Sequence, residues 1–142
     1  AGLIPYIRTI GLYKAKAKHV IETCRQLIER FGGNVPARFN DLVTLPGVGA
    51  KTANVVLNVA FHQPTIAVDT HIFRVANRTG LAPAKTPDAV SEKLLKVTPK
   101  EFLLNAHHWL LLHGRYCCTA RKPHCTECPI AAFCEYPDKT LD

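Results

Sequence analysis

Four cysteines crowd into one C-terminal stretch with the spacing Cys118-x6-Cys125-x2-Cys128-x5-Cys134. Four thiolates so placed suit either a zinc ion or a [4Fe–4S] cluster. Structural zinc sites usually show two Cys-x2-Cys pairs; only Cys125 with Cys128 makes one here, which favours the iron–sulfur cluster. The wide first gap holds Thr119, Ala120, Arg121, Lys122, Pro123 and His124. Tethered at both ends, that loop would present its cations to phosphates; the plainer reading is a structural staple that touches no ligand. Of the remaining cysteines, Cys24 falls on the apolar stripe of a helix and is expected in the core, while Cys117 adjoins a ligand as a spare thiol.

A second constellation begins at Leu45-Pro46-Gly47-Val48-Gly49, a break between two helical patterns. Two glycines around one apolar residue allow a tight turn, and backbone N–H groups of Gly47, Val48, Gly49 and Ala50 would then stand beside a helix N-terminus. Such a terminus binds phosphate without reading a base. An ordinary interhelical turn is the bland alternative. Lys51 follows in the first turn, where the helix dipole opposes a cation and favours the neutral, nucleophilic amine that attack on a sugar C1′ needs. A lysine that merely contacts phosphate or solvent is the competing reading. Asp69 precedes another helix and reads as its N-cap. Held by backbone N–H groups, its carboxylate could also stabilise an oxocarbenium-like sugar and assist the amine's proton transfers. Nothing in the spacing shows that Lys51 and Asp69 meet. Among the histidines, His107, His108 and His113 flank Trp109 on an apolar helix, in core or supporting positions rather than as ligands.

Composition sets the frame for these residues. The 142 residues correspond to about one domain. Hydrophobic residues make up 47% and charged residues 20%, which excludes a disordered tail or a collagen-like repeat. No apolar run reaches the roughly 18 residues of a membrane span, and no signal-peptide pattern is visible. Lys and Arg number 18 against 11 acids, for a net charge of +7. That surplus favours an anionic partner, nucleic acid first, although a solvated basic face would look the same. No acid lies between Glu101 and Glu127, whereas Arg115, Arg121, Lys122 and four of the seven histidines do.

The elements that must position these groups are helical nearly everywhere, so the fold class is all-α. Between Lys14 and Phe31, Ala17, Val20, Ile21, Cys24, Leu27, Ile28 and Phe31 form one apolar stripe, closed by Gly32-Gly33. A short helix over 37–44 precedes the glycine hairpin. The next helix, 50–61, is expected to bury Ala53, Val56, Leu57 and Ala60 and to carry Lys51, Asn54 and Asn58 on its other side. From Asp69 a helix reaches Thr79 and Gly80, with His71, Arg74 and Arg78 on a polar stripe suited to a nearby phosphate backbone. Thr86-Pro87-Asp88 starts another helix, and Thr98-Pro99-Lys100-Glu101 repeats the device with the glutamate of a capping box. After Gly114 the chain becomes a cysteine-bearing loop too poor in apolar residues to fold without a staple.

Three segments taken together, Leu45 to Leu57 (LPGVGAKTANVVL), Val68 to Asn77 (VDTHIFRVAN) and the cysteine loop, are similar to the endonuclease III family in their order and over nearly the whole chain. That family comprises helix–hairpin–helix DNA glycosylases with AP lyase activity. The resemblance implies a helix–hairpin–helix glycosylase fold, as a partial helical barrel, ending in a C-terminal iron–sulfur loop. Residues 1–68 would be part of the barrel, with the helix–hairpin–helix at about 38–61; residues 69–142 would form a helical domain ending in the cluster loop 118–134. By position, Lys51 matches the family's Schiff-base nucleophile and Asp69 its essential carboxylate. Cys118, Cys125, Cys128 and Cys134 match its [4Fe–4S] ligands. DNA contact would fall to Gly47, Val48, Gly49, Ala50 and Lys51 in the hairpin and to Arg121, Lys122 and His124 in the loop. The implied activity is excision of oxidised pyrimidines, through an imine at C1′ and β-elimination 3′ to the site, after the nucleotide is flipped from the duplex.

The implied partner is double-stranded DNA with a damaged base or abasic site, handled by a soluble monomer, cytoplasmic and nucleoid-associated. Ala50 stands where relatives often have a basic residue, which should weaken phosphate contact slightly. Relatives carry further helices before the segment matching Ala1, and this chain has no methionine. It therefore reads as a fragment whose stripes at Val20 and Val56 are left partly uncovered. Two rivals remain: the adenine-mispair glycosylases, against which Lys51 speaks, and a non-catalytic, metal-stapled helix–hairpin–helix module.

Overall fold

A computed structural model describes residues 2–140 of the chain. Among them the regular structure is entirely helical: α1 (Ile4–Ile7), α2 (Tyr13–Phe31), α3 (Phe39–Leu42), α4 (Ala50–Phe61), α5 (Thr70–Thr79), α6 (Pro87–Val97) and α7 (Leu103–Tyr116). The chain forms two compact units, Ala1–Ala53 and Asn54–Asp142, and α4 begins in the first and ends in the second.

In the first unit, α2 ends at Gly32 in the left-handed conformation, whose N–H returns to Leu27 O. Leu42 and Leu45 bury the apolar side of α3 and of the following turn. Thr23 donates its hydroxyl to Pro46 O at 3.0 Å and Arg30 reaches Thr44 Oγ1 at 3.1 Å, tying α2 to the hairpin. The α2 stripe is left partly uncovered around Val20, as expected. Only Ala17 is buried, whereas Val20, Ile21 and Ile28 are 48%, 50% and 69% exposed. Cys24, expected in the core, is exposed as well. Periodicity marks a face that can be buried, but burial needs an opposing element, and the described neighbours of α2 leave Val20, Ile21 and Ile28 largely open.

The second unit contains the main core: Ile66, Ile72, Ala76, Ala82, Val90, Leu94 and Ala106, with Val68, Phe73, Leu103 and Leu110 against it. Here α5 packs on α6 and, more extensively, on α7. The α5–α7 crossing is close because Gly114 lies against His71 and Val75, where a Cβ would meet atoms at 2.9–3.0 Å. Buried His107 anchors α7 through Nδ1 to Ala67 O at 2.8 Å.

Three local expectations need correction. Asn58 is buried rather than displayed, because its Nδ2 donates to Gln63 O and Thr65 O, both at 3.2 Å, and so closes the turn after α4. Ala60 is exposed instead. At Thr98–Glu101 no capping box forms: the chain makes a 3-10 turn over Lys100–Phe102 with no side-chain cap, and runs on into α7. The Thr86 cap does form, accepting from Ala89 N–H at 3.3 Å with Pro87 opening α6.

Candidate DNA-binding and metal sites

The hairpin is built by a backbone only glycine tolerates. Gly47 has φ +76°, and a Cβ there would lie 2.8 Å from His19 Nδ1. Val48 N–H closes the turn on Leu45 O at 3.1 Å. Gly49 differs: its φ is not left-handed, and a Cβ there would meet no protein atom within 4 Å. Exposed Gly49, Ala50 and Lys51 thus stand at the start of α4, where the first N–H groups of a helix lack internal partners. Lys51 is solvent-facing in the first turn, as its position implied.

Asp69 lies in the second unit. It is the N-cap of α5, in extended conformation (φ −100°, ψ −175°), with Oδ1 accepting from Ile72 N–H at 2.8 Å. Half-buried, its carboxylate is oriented by that bond. Capping is therefore part of its role.

The polar stripe of α5 does not face an open surface. Arg74 donates through Nε to Cys118 O at 2.9 Å and through Nη2 to Gly114 O at 2.6 Å. Arg78 donates to Thr119 O at 2.7 Å and Ala120 O at 2.9 Å, approaches Cys118 Sγ at 3.6 Å, and lies 4.4 Å above the Tyr136 ring. These cations hold the cysteine loop rather than waiting for phosphate, because a loop without regular structure leaves carbonyls that need donors.

All four predicted ligands, Cys118, Cys125, Cys128 and Cys134, line one pocket, joined there by Cys117 and His113. Cys117, the thiol beside the Cys118 ligand position, lines the same pocket. Burial, reinforced by the neighbouring Cys128, Cys118 and Cys125, pushes its pKa up to about 11. Burial also lowers the His113 pKa below the ordinary value, favouring the neutral imidazole. His113 Nε2 lies 3.9 Å from Cys128 Sγ. The intervening loop is anchored by His124 N–H to Cys117 O at 2.9 Å and by buried Pro123, while Arg121, Lys122 and His124 are exposed. Four soft thiols, Cys118, Cys125, Cys128 and Cys134, converging in one pocket with an arginine donor aimed at one sulfur form a donor set that fits an iron–sulfur cluster.

Sequence reasoning missed Arg74 and Arg78 as builders of this pocket, whereas His113 falls in the supporting position expected of it. The two arginines are four residues apart, hence on one helix face.

Comparison with known proteins agrees with this geometry. Residues 1–100 match the HhH-GPD superfamily of base excision DNA repair proteins, and residues 118–134 match the iron–sulfur binding domain of endonuclease III. The chain belongs to the HhH-GPD superfamily and carries a [4Fe–4S]-binding loop at its C-terminal end. It is 61% identical over 138 residues to endonuclease III of Escherichia coli (strain K12), and 60% identical over 138 residues to that of Haemophilus influenzae. Each alignment covers 97% of this chain but 65% of the relative, so the chain spans about 65% of their length. Among solved structures, a trapped endonuclease III–DNA covalent intermediate superposes with TM-score 0.87 at 44% identity, covering 93% of this chain and 62% of that one. A thermostable thymine-DNA glycosylase superposes with TM-score 0.85 at 28% identity, covering 94% and 64%. No described helix is long and apolar enough to cross a membrane.

Proposed function

We propose that the chain is the catalytic and cluster-bearing part of a DNA glycosylase/AP lyase acting on oxidised pyrimidines in duplex DNA. The observation that carries this is an exposed Lys51 in the first turn of α4, directly after a hairpin whose Gly49 leaves open space for a phosphate. A relative of the same fold is known as a trapped covalent intermediate with DNA, which is what an amine nucleophile makes.

In this reading Nζ of Lys51 attacks C1′ of a flipped nucleotide, and the damaged base leaves with the glycosidic electron pair and takes up a proton. The Asp69 carboxylate stabilises positive charge at C1′ and accepts a proton from the attacking amine. The C1′–O4′ bond then breaks, O4′ taking up a proton, to give the C1′ imine. Loss of a C2′ proton from that imine expels the 3′ phosphate with the C3′–O bond electrons. Gly47, Val48, Gly49 and Ala50 hold the backbone phosphate through N–H groups. Arg121, Lys122 and His124 add cations from the loop.

Cys118, Cys125, Cys128 and Cys134 ligate the [4Fe–4S] cluster, and Arg78 donates toward Cys118 Sγ. When bound, the cluster draws together a loop that has little apolar content of its own. We assign residues 1–68 to the barrel part and 69–142 to the cluster-bearing part, in a monomer of the cytoplasm associated with the nucleoid.

Borohydride trapping on a duplex with one abasic site tests the reading. An adduct formed by the parent and absent in Lys51→Ala is expected. DNA affinity without any adduct would favour a binding module, and base release without an adduct would favour a hydrolytic, adenine-mispair type of enzyme.

A further inference from the structure

The cysteine pocket holds one more ligand combination than a cluster requires. A ring nitrogen of His113 and the Sγ atoms of Cys117 and Cys128 all lie within 4.8 Å of one another. Around one zinc-type ion, a sulfur and a nitrogen sit about 3.6 Å apart and two sulfurs about 3.8 Å apart, from the usual bond lengths and tetrahedral angle. The His113 Nε2 to Cys128 Sγ separation of 3.9 Å is close to that geometry. A cubane cluster instead gives each thiolate its own iron. The tight triple thus shares Cys128 with the proposed cluster ligands and adds His113 and Cys117 to it.

Its scaffold is partly rigid. His113 lies in the last turn of α7 and Cys117 caps that helix, four residues on, so the two share a face. The Cys117 and Cys118 N–H groups both return to His113 O, at 2.9 and 2.8 Å, which fixes the two candidate ligands relative to each other. Only Cys128 arrives from the loop.

We infer that His113, Cys117 and Cys128 form a site for one borderline divalent cation of the zinc type, whose occupation excludes the iron–sulfur cluster because both need the Cys128 thiolate. Binding releases the thiol protons of Cys117 and Cys128 to solvent and involves no redox change; solvent fills the fourth position. The exclusion rests on the cluster ligands assigned above, whereas the ion site itself does not, and neither depends on Lys51 chemistry.

The full chain, stripped of metal and kept reduced, is titrated with Zn2+ against a chromophoric chelator. One ion per chain is expected, with Cys117→Ser and His113→Gln each weakening it at least about tenfold. Cys117→Ser should load iron and show visible absorbance like the parent. Cys118→Ser/Cys134→Ser should lose the cluster yet still bind one zinc, and Co2+ in that variant should show a tetrahedral, thiolate-ligated spectrum. Zinc affinity indifferent to Cys117→Ser, or lost with Cys118 and Cys134, overturns the ion site. Zinc that binds beside a fully retained cluster overturns the exclusion.

Discussion

Arg78 and Cys118, forty residues apart in sequence, meet where Nη1 of the guanidinium lies 3.6 Å from the cysteine sulfur. The same guanidinium takes Thr119 O and Ala120 O, so one side chain of α5 holds the start of the loop. Helix α5 opens on Asp69 and ends beside that loop. One short rigid element thus carries the proposed catalytic carboxylate at its N-terminus and the anchor of the cysteine loop near its C-terminus.

Replacing Arg78 by lysine should not preserve this anchor, since an ammonium lacks the planar fork that serves several acceptors at once. Arg78→Lys and Arg78→Ala should each destabilise the chain by about 2 kcal/mol and lower iron content. Denaturant unfolding and metal analysis check this; parental iron content in both variants would refute the anchoring role.

The two hairpin glycines should separate stability from binding. Gly47→Ala forces a side chain into φ +76° against His19 and should cost about 1–2 kcal/mol. Gly49→Ala meets no protein atom and should leave stability within about 0.5 kcal/mol, while weakening affinity for an abasic duplex. Urea melts alongside fluorescence anisotropy decide the matter.

Asp69→Asn keeps an oxygen for Ile72 N–H and should retain stability within a few tenths of a kcal/mol, whereas Asp69→Ala should lose about 1 kcal/mol. Both should lose most strand cleavage. An Asn variant as active as the parent would reduce Asp69 to a cap.

Salt dependence reports the loop cations. If Arg121 and Lys122 each neutralise a phosphate, removing either should reduce the slope of log K against log salt by about 1. An unchanged slope would mark them as solvated surface.

Burial holds the His113 pKa below its ordinary 6.5. The folded state therefore binds fewer protons than the unfolded chain over this window, so His113's contribution is present above about pH 6.5 and is lost as pH falls through the depressed folded value. In the metal-free chain, the stability difference between the parent and His113→Gln should shrink on that descent. A pH-independent difference would exclude the effect.

Much of this protein was legible in its residues. Helix periods, the Asp69 and Thr86 caps, the glycine hairpin and the cysteine spacing are local features, set by backbone propensity and side-chain chemistry over a few residues, and the structure reproduces them. What touches what was not. Asn58 and Cys24 exchanged their expected environments, because burial depends on an opposing surface that periodicity cannot supply. Arg74 and Arg78 read as cations for phosphate, yet unpaired loop carbonyls brought near by folding engage them. That His113 and Cys117 line the same pocket as the four cysteines is seen only once α7 and the loop converge. Sequence determines which chemistry is present and on which face of which helix; tertiary structure decides which of those groups share a site, because that depends on contacts between residues distant in the chain.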